Sequence, residues 1–125
     1  MTRVLIADDE PRIRLLLRLA LAAGGYEVLE AADGEQAVVQ LRAHRPAVAV
    51  LDVQMPHRSG LEVCRAIRAD AATAGTGVVI ATANGLDEDR RAGMDAGADR
   101  YLTKPYLPSQ LLAIVAELAA RAAAA

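Results

Sequence analysis

Short apolar runs alternate with helical patterns along the chain, and this alternation restricts the fold more than any other feature. The runs are rich in Val, Ile and Leu, and they span residues 3–7, 26–30, 47–51, 77–81 and 100–103. The central runs are apolar on both faces, as parallel strands buried on both sides are. This pattern predicts an α/β fold with one open, doubly wound parallel sheet of five strands and helices on both faces.

Helical periodicity follows each run. Behind Pro11, apolar residues recur at the i, i+3, i+4, i+7 and i+8 positions from Ile13 to Leu21, and Gly24 and Gly25 end the pattern. Pro11 suits the first position of a helix, where its missing N–H removes no hydrogen bond. Further helices are predicted over residues 34–43, 59–69, 87–96 and 108–121.

Length and composition limit the function. A chain of 125 residues forms one domain, and its 54% hydrophobic and 24% charged residues indicate a globular protein. A net charge of −2 and an aromatic content of 2% argue against direct binding to nucleic acid. One cysteine excludes an internal disulfide and a Cys-rich zinc site. Because no apolar run has membrane-spanning length and no signal peptide follows Met1, we expect one cytoplasmic domain over residues 1–125 that binds no membrane.

Polar and charged side chains follow four of the five runs. Ligands of open α/β sheets bind beyond the carboxyl ends of the strands, so these side chains are candidates for a site. In chain order they are Asp8, Asp9, Glu10, Asp52, Thr82, Thr103 and Lys104. We expect them to meet at one edge of the sheet.

The chemistry of this set points to a cation and a phosphoryl group. A cluster of carboxylates either has a raised pKa or holds a cation, and oxygen ligands without His or Cys suit Mg²⁺. The Thr82 hydroxyl and the Lys104 ammonium favour an anion such as phosphate. Lys104 is the only lysine of the chain. A carboxylate beside Mg²⁺ and facing a lysine can act as a nucleophile toward phosphorus and form an acyl phosphate.

The order and spacing of these residues resemble the receiver domain of two-component response regulators over nearly the whole chain. The resemblance rests on DDEP at residues 8–11, LDVQMP at 51–56 with SGL at 59–61, ATA at 81–83 and GADRYLTKP at 97–105. Each motif alone is weak, whereas all four in this order are specific. The resemblance implies a flavodoxin-like fold with the strand order 2-1-3-4-5.

The resemblance also implies a phosphorylation site and a metal site. Asp52 would accept a phosphoryl group from a histidine kinase or a phosphotransfer protein. Asp9, Asp52 and the backbone carbonyl of Gln54 would ligate Mg²⁺, and Asp8 would act mainly through a bound water. The domain would then be a signalling switch that phosphorylates and dephosphorylates itself, rather than a metabolic enzyme.

Other implied roles concern the phosphoryl group and the response to it. Thr82 would hydrogen-bond to the phosphoryl group, and Lys104 would pair with it. Tyr101 would be the switch aromatic that turns inward when Thr82 moves. Gln54 and Asn84, each two residues beyond a site residue, would border the approach of water to the phosphorus. The peptide bond between Lys104 and Pro105 would be cis.

The resemblance says less about which surface and which partner pass the signal on. A downstream protein, or an output domain missing from this sequence, would read the face formed by the fourth helix, fifth strand and fifth helix. We expect a monomer or a weak dimer. The last helix lacks the charged pattern of family members that dimerise through this face and bind DNA. Leu107 stands where a Ser or Thr helix cap is common, and Gly93 should loosen the fourth helix by up to about 1 kcal/mol.

Alternatives remain open at this point. A Mg²⁺-dependent phosphohydrolase with an Asp nucleophile would use a similar sheet, but it needs a second acid two residues later, where Gln54 stands. A receiver-like interaction module that never turns over phosphate is a third function, and the intact set of site residues argues against it. Finally, the acids at residues 8–10 could serve only as a cap for the first helix.

Overall fold

The computed structural model describes residues 1–83 and 87–124, the side chains of 87–89 and 124 excepted. In this part of the chain, five strands alternate with five helices. The strands are β1 (Arg3–Ala7), β2 (Glu27–Ala31), β3 (Val48–Asp52), β4 (Gly77–Thr82) and β5 (Arg100–Thr103). The helices are α1 (Pro11–Ala23), α2 (Gly34–His44), α3 (Gly60–Ala69), α4 (Asp87–Asp95) and α5 (Pro108–Ala124).

All strand pairs are parallel, and their order is β2-β1-β3-β4-β5, which confirms the predicted fold. The strand ends differ slightly from the prediction. β3 and β4 each extend by one residue, because Asp52 lies in register with Ala81 and Thr82 with Thr103. Side-chain polarity predicts an earlier end, but the backbone of both residues still belongs to the sheet.

Two apolar layers explain why the central strands are apolar at every position. Val4 and Ile6 of β1 belong to the cluster shared with α1 and α5, whereas Leu5 and Ala7 belong to the cluster shared with α2 and α3. Alternate residues of a strand point to opposite faces, so both faces of β1 must be apolar. Among the described residues, no helix combines the length and the apolar character that a bilayer crossing requires.

The start of α5 differs from the expectation raised by Leu107. The backbone N–H of Leu107 donates to Oε1 of Gln110 at 2.7 Å, and the N–H of Gln110 donates to the Leu107 carbonyl at 3.0 Å. This is the reciprocal half of a capping box, in which a Gln side chain reaches back to the residue before the helix. A side chain inside α5 thus offsets the missing cap at residue 107.

Candidate functional site

Three carboxylates converge at the carboxyl edge of the sheet. Asp8 and Asp9 follow β1, and Asp52 is the last residue of the neighbouring strand β3. One oxygen from each side chain lies within 4.8 Å of the others. Asp8 and Asp52 are buried, whereas Asp9 is exposed, so the cluster has one open side.

Lys104 faces this cluster from the loop after β5. Its Nζ lies 3.2 Å from Oδ2 of Asp8 and 3.5 Å from Oδ1 of Asp52. The structure therefore brings four of the side chains expected at this edge together, namely Asp8, Asp9, Asp52 and Lys104. One ammonium faces several carboxylates, so the cluster retains a negative charge when they are ionised. The peptide bond between Lys104 and Pro105 is cis.

The pKa of Asp52 is raised above its ordinary value. Burial is the main cause, and the negative charge of Asp8 raises the pKa further. The positive charge of Lys104 and hydrogen bonding by Lys104 and the Gln54 N–H lower the pKa, but they do not cancel the effect of burial. Burial also lowers the pKa of Lys104, but the charges of Asp52 and Asp8 outweigh this effect and raise it overall. Lys104 therefore stays charged, while the ionised form of Asp52 is only partly compensated.

The donor set fits a hard divalent cation. The clustered ligand atoms within the described residues are all carboxylate oxygens, which Mg²⁺ prefers to softer ligands. A bound cation would also supply the positive charge that buried Asp52 lacks. Gln54 follows Asp52 by two residues, and its backbone N–H lowers the pKa of the Asp52 carboxyl. The role of its carbonyl as a ligand stays a prediction.

The start of α3 is packed directly against the backbone of Asp52. The N–H of Gly60 donates to the Val53 carbonyl at 3.0 Å. A Cβ atom at Gly60 would lie only 2.3 Å from the carbonyl oxygen of Asp52, a distance that no side chain tolerates. Glycine at this position therefore allows α3 to begin directly against the end of β3.

Thr82 and Tyr101 lie on the two strands beyond Asp52. Thr82 is buried at the end of β4, and its carbonyl accepts from the N–H of Lys104 at 2.7 Å. Tyr101 is half-buried on β5, and the guanidinium of Arg90 lies 5.7 Å from its ring centroid. A Cβ atom at Gly93 would lie 3.1 Å from the Tyr101 ring, so this glycine also makes room for the ring. Asn84 lies outside the described residues.

The structure does not support a purely capping role for the acids at residues 8–10. Glu10 occupies the N-cap position of α1, and in the described part of the chain it makes no side-chain cap hydrogen bond. Oδ1 of Asp8 accepts from the N–H of Glu10 at 2.9 Å, which is a bond within the loop. The other oxygen of Asp8 faces Lys104. The acids therefore form the loop and the cluster, and Pro11 begins the helix.

Arg14 is a site neighbour that the motifs do not identify. Its Nη1 donates to the backbone carbonyl of Asp8 at 2.7 Å, and its Nε lies 3.6 Å from Oε1 of Glu30 on β2. Arg18, one helical turn later, lies 3.6 Å from the other oxygen of Glu30. The sequence carries no signal for these contacts, because only the packing of α1 against β2 brings Glu30 beside the two arginines.

Comparison with known proteins gives the family. Residues 4–116 match the response regulator receiver domain, so the chain belongs to this family. Members of this class are signalling switches and not metabolic enzymes, and they bind Mg²⁺ at an acidic pocket.

Particular relatives agree with this assignment. The response regulator MprA of Mycobacterium tuberculosis is 44% identical over 115 residues, which cover 89% of this chain and 47% of MprA. The chain therefore spans about half the length of the curated relatives it matches.

Solved structures show the same fold. Chemotaxis protein CheY4 of Vibrio cholerae has 33% identity and a TM-score of 0.89, over 94% of this chain and 98% of CheY4. The receiver domain of a sensor histidine kinase from Pseudomonas aeruginosa PAO1 has 29% identity and a TM-score of 0.88, over 95% of this chain and 98% of that one. In that structure a magnesium ion is coordinated in the active-site cleft.

Proposed function

We propose that this domain is a phospho-accepting switch in which Asp52 receives the phosphoryl group. One observation carries the proposal: the carboxylate at the end of central strand β3 is buried, clustered with two other acids and faced by the only lysine of the chain. The donor is a histidine kinase or a phosphotransfer protein, as expected for a two-component response regulator. Asp8, Asp9, Asp52 and the Gln54 carbonyl hold Mg²⁺.

In the proposed transfer, an oxygen of Asp52 attacks the phosphorus of a phosphohistidine. The new O–P bond forms as the N–P bond breaks, and the imidazole nitrogen keeps the electron pair. Lys104, which lies 3.5 Å from Oδ1 of Asp52, pairs with the phosphoryl oxygens, and the Thr82 hydroxyl hydrogen-bonds to them. Bound Mg²⁺ supplies further positive charge for the transferring group.

The switch that follows involves Thr82 and Tyr101. When the Thr82 hydroxyl moves toward the phosphoryl group, Tyr101 turns into the vacated space and the face of α4, β5 and α5 changes. The packing of Tyr101 against Gly93 and beneath Arg90 supports this, because the ring already contacts the helix that must move. A downstream protein or an output domain reads the new face. The length of MprA, about twice that of this chain, supports an output domain.

Intact-mass measurement after incubation with Mg²⁺ and acetyl phosphate tests the proposal. Wild type should gain the mass of one phosphoryl group, and the gain should be labile to alkali. Asp52→Asn should gain nothing, whereas Asp70→Asn, a matched change at the far end of α3, should behave as wild type. Adduct formation by Asp52→Asn at the wild-type rate would contradict the site.

The same experiment separates the alternative functions. A phosphohydrolase would turn over the donor without an appreciable adduct, and an inert interaction module would do neither. The switch is tested by amide chemical shifts recorded with and without a phosphoryl mimic. Changes should reach Tyr101 and α5, and changes confined to the Asp52 loop would contradict the proposed output face.

A further inference from the structure

A guanidinium binds the backbone of one member of the carboxylate cluster. Nη1 of Arg14 donates to the Asp8 carbonyl at 2.7 Å, and the Arg14 side chain is only 18% exposed. Asp8 itself is buried and belongs to the cluster. A charge-assisted hydrogen bond of this length is among the stronger ones in proteins, so it restrains the backbone at this point.

Arg14 is in turn oriented from the sheet. Its Nε lies 3.6 Å from Oε1 of Glu30, and Glu30 lies beside β1 on the neighbouring strand β2. The planar guanidinium can therefore contact a carboxylate through one nitrogen and a carbonyl through another. The lysine ammonium is a point charge with a single nitrogen, so Lys at this position cannot make both contacts in the same geometry.

The backbone that Arg14 restrains sets the direction of the acids. The N–H of Asp8 donates to the Ala31 carbonyl at 3.1 Å, and the N–H of Glu10 donates to Oδ1 of Asp8 at 2.9 Å. The loop of residues 8–10 is thus held at two points. The Asp8 N–H binds to β2, and the Asp8 carbonyl binds to Arg14 of α1. Without the contact from Arg14, a rotation of this loop would let the carboxylates of Asp8 and Asp9 move away from the other acids, which repel them.

We propose that Arg14 is a positioning residue for the cation site. By holding the Asp8 carbonyl, it keeps the carboxylates of Asp8 and Asp9 at the spacing that binds Mg²⁺. The inference rests on the proposed function, since it needs Mg²⁺ at this cluster. It assigns Arg14 no contact with the metal or with the phosphoryl group.

The charge of Arg14 and its positioning role predict opposite changes in Mg²⁺ affinity when the side chain is removed. The inference is therefore testable. Arg14 is a cation near a cation site, so its charge alone weakens Mg²⁺ binding, and its removal should strengthen it. If positioning dominates, the same removal weakens binding. Losing a residue that orients metal ligands typically costs about 10-fold or more in affinity.

The experiment compares wild type with Arg14→Met, Arg14→Lys and Arg18→Met. Mg²⁺ dissociation constants come from amide-shift titrations with MgCl₂ at constant ionic strength. We expect Arg14→Met to bind about 10-fold more weakly and Arg14→Lys about 3-fold more weakly, although Lys keeps the charge. Arg18→Met removes the same charge and a contact to the same Glu30, and it should stay within about 2-fold of wild type, since it leaves the Asp8 carbonyl held.

Each outcome decides the question. Equal or tighter binding by Arg14→Met overturns the inference, as does a lower melting temperature with an unchanged dissociation constant. If Arg14→Met does not fold, an unchanged constant for Arg14→Lys overturns it. Faster exchange of the Glu10 amide proton in the Arg14 variants supports it. Absence of Mg²⁺ binding by wild type refutes the proposed metal site and this inference together, which distinguishes that failure from a failure of Arg14 alone.

Discussion

At both edges of the sheet a basic side chain contacts a largely buried aspartate, but the two aspartates differ in how well their charge is compensated. At the amino edge, Oδ2 of Asp99 accepts from Nη2 of Arg68 at 2.9 Å and from the Val78 N–H at 2.8 Å. Nη2 of Arg121 lies 3.7 Å from the other oxygen. Two cations and a backbone donor thus surround one acid.

Arg68 also connects two loops at the amino edge through three backbone carbonyls. Its Nε donates to the Gly97 carbonyl and its Nη1 to the carbonyls of Ala74 and Thr76. These carbonyls precede β4 and β5, so one side chain of α3 fixes the entry of two strands. The arrangement is saturated with partners and is typical of a structural role.

The carboxyl edge shows the opposite balance. Lys104 is shared between Asp8 and Asp52, Asp9 adds a third carboxylate, and burial raises the pKa of Asp52. Compensation is incomplete, so the cluster keeps an excess of negative charge that a divalent cation would balance. Similar ion pairs therefore leave the acid fully paired at one edge and incompletely paired at the other, according to how many donors each acid has.

The largest expected effect concerns Arg68. Arg68→Ala removes a charge partner of Asp99 and the donor to three carbonyls, so the free energy of unfolding should fall by about 3 kcal/mol. Arg65→Ala, an exposed arginine of the same helix, should change it by less than about 0.5 kcal/mol. Urea denaturation of both variants measures the difference. Equal midpoints would show that the amino edge is not the stabilising one.

A matched pair of substitutions compares the edges directly. Asp99→Asn should lower the free energy of unfolding by about 1.5 kcal/mol, because its hydrogen bonds lose their charge. Asp52→Asn should leave it unchanged or raise it by up to about 1 kcal/mol, because repulsion and burial of charge are relieved. Both are measured in urea without Mg²⁺. Equal losses at the two positions would remove the distinction between the edges.

Mg²⁺ should sharpen the comparison because it acts on one edge only. At ten times its dissociation constant, a ligand that binds only the folded state adds about 1.4 kcal/mol of stability. Wild type and Asp99→Asn should show this gain as a higher melting temperature, and Asp9→Ala should lose it. A full shift in Asp9→Ala would place the metal elsewhere.

The smallest effect is the pH dependence of the carboxyl edge. Because the pKa of folded Asp52 is raised above its ordinary value of 3.8, the folded state binds this proton more tightly than the unfolded state. Wild type should therefore lose stability relative to Asp52→Asn as pH rises from that value through the raised pKa, and the difference should persist at neutral pH. Below the ordinary pKa of Asp52, the free energies of unfolding of the two proteins should converge. Urea midpoints of the two proteins from acidic to neutral pH, measured with a chelator, check this.

The sequence predicts the fold because its signals are local. Apolar runs of strand length, helical periodicity and the end of the first helix at Gly24 and Gly25 need no knowledge of distant residues. The carboxyl edge follows from the same reasoning, since parallel strands bring their ends together and the polar residues after the apolar runs mark those ends closely. The meeting of Asp8, Asp52 and Lys104 was therefore predictable, whereas the roles of Asp52, Thr82 and Tyr101 rest on the resemblance and on the experiments above.

Only the tertiary structure decided the contacts that cross between elements without a motif. Arg14 and Arg68 look like surface arginines in the sequence. The packing of α1 directs Arg14 back to the carbonyl of Asp8 in the loop before the helix, and the packing of α3 directs Arg68 to the carbonyl of Gly97 in a distant loop. The need for Gly60 likewise appears only when the Asp52 carbonyl approaches it. The physical reason is that periodicity reports which face of an element is buried, while a carbonyl is the same group in every residue. Which carbonyl a side chain reaches is set by the three-dimensional arrangement of elements far apart in the chain.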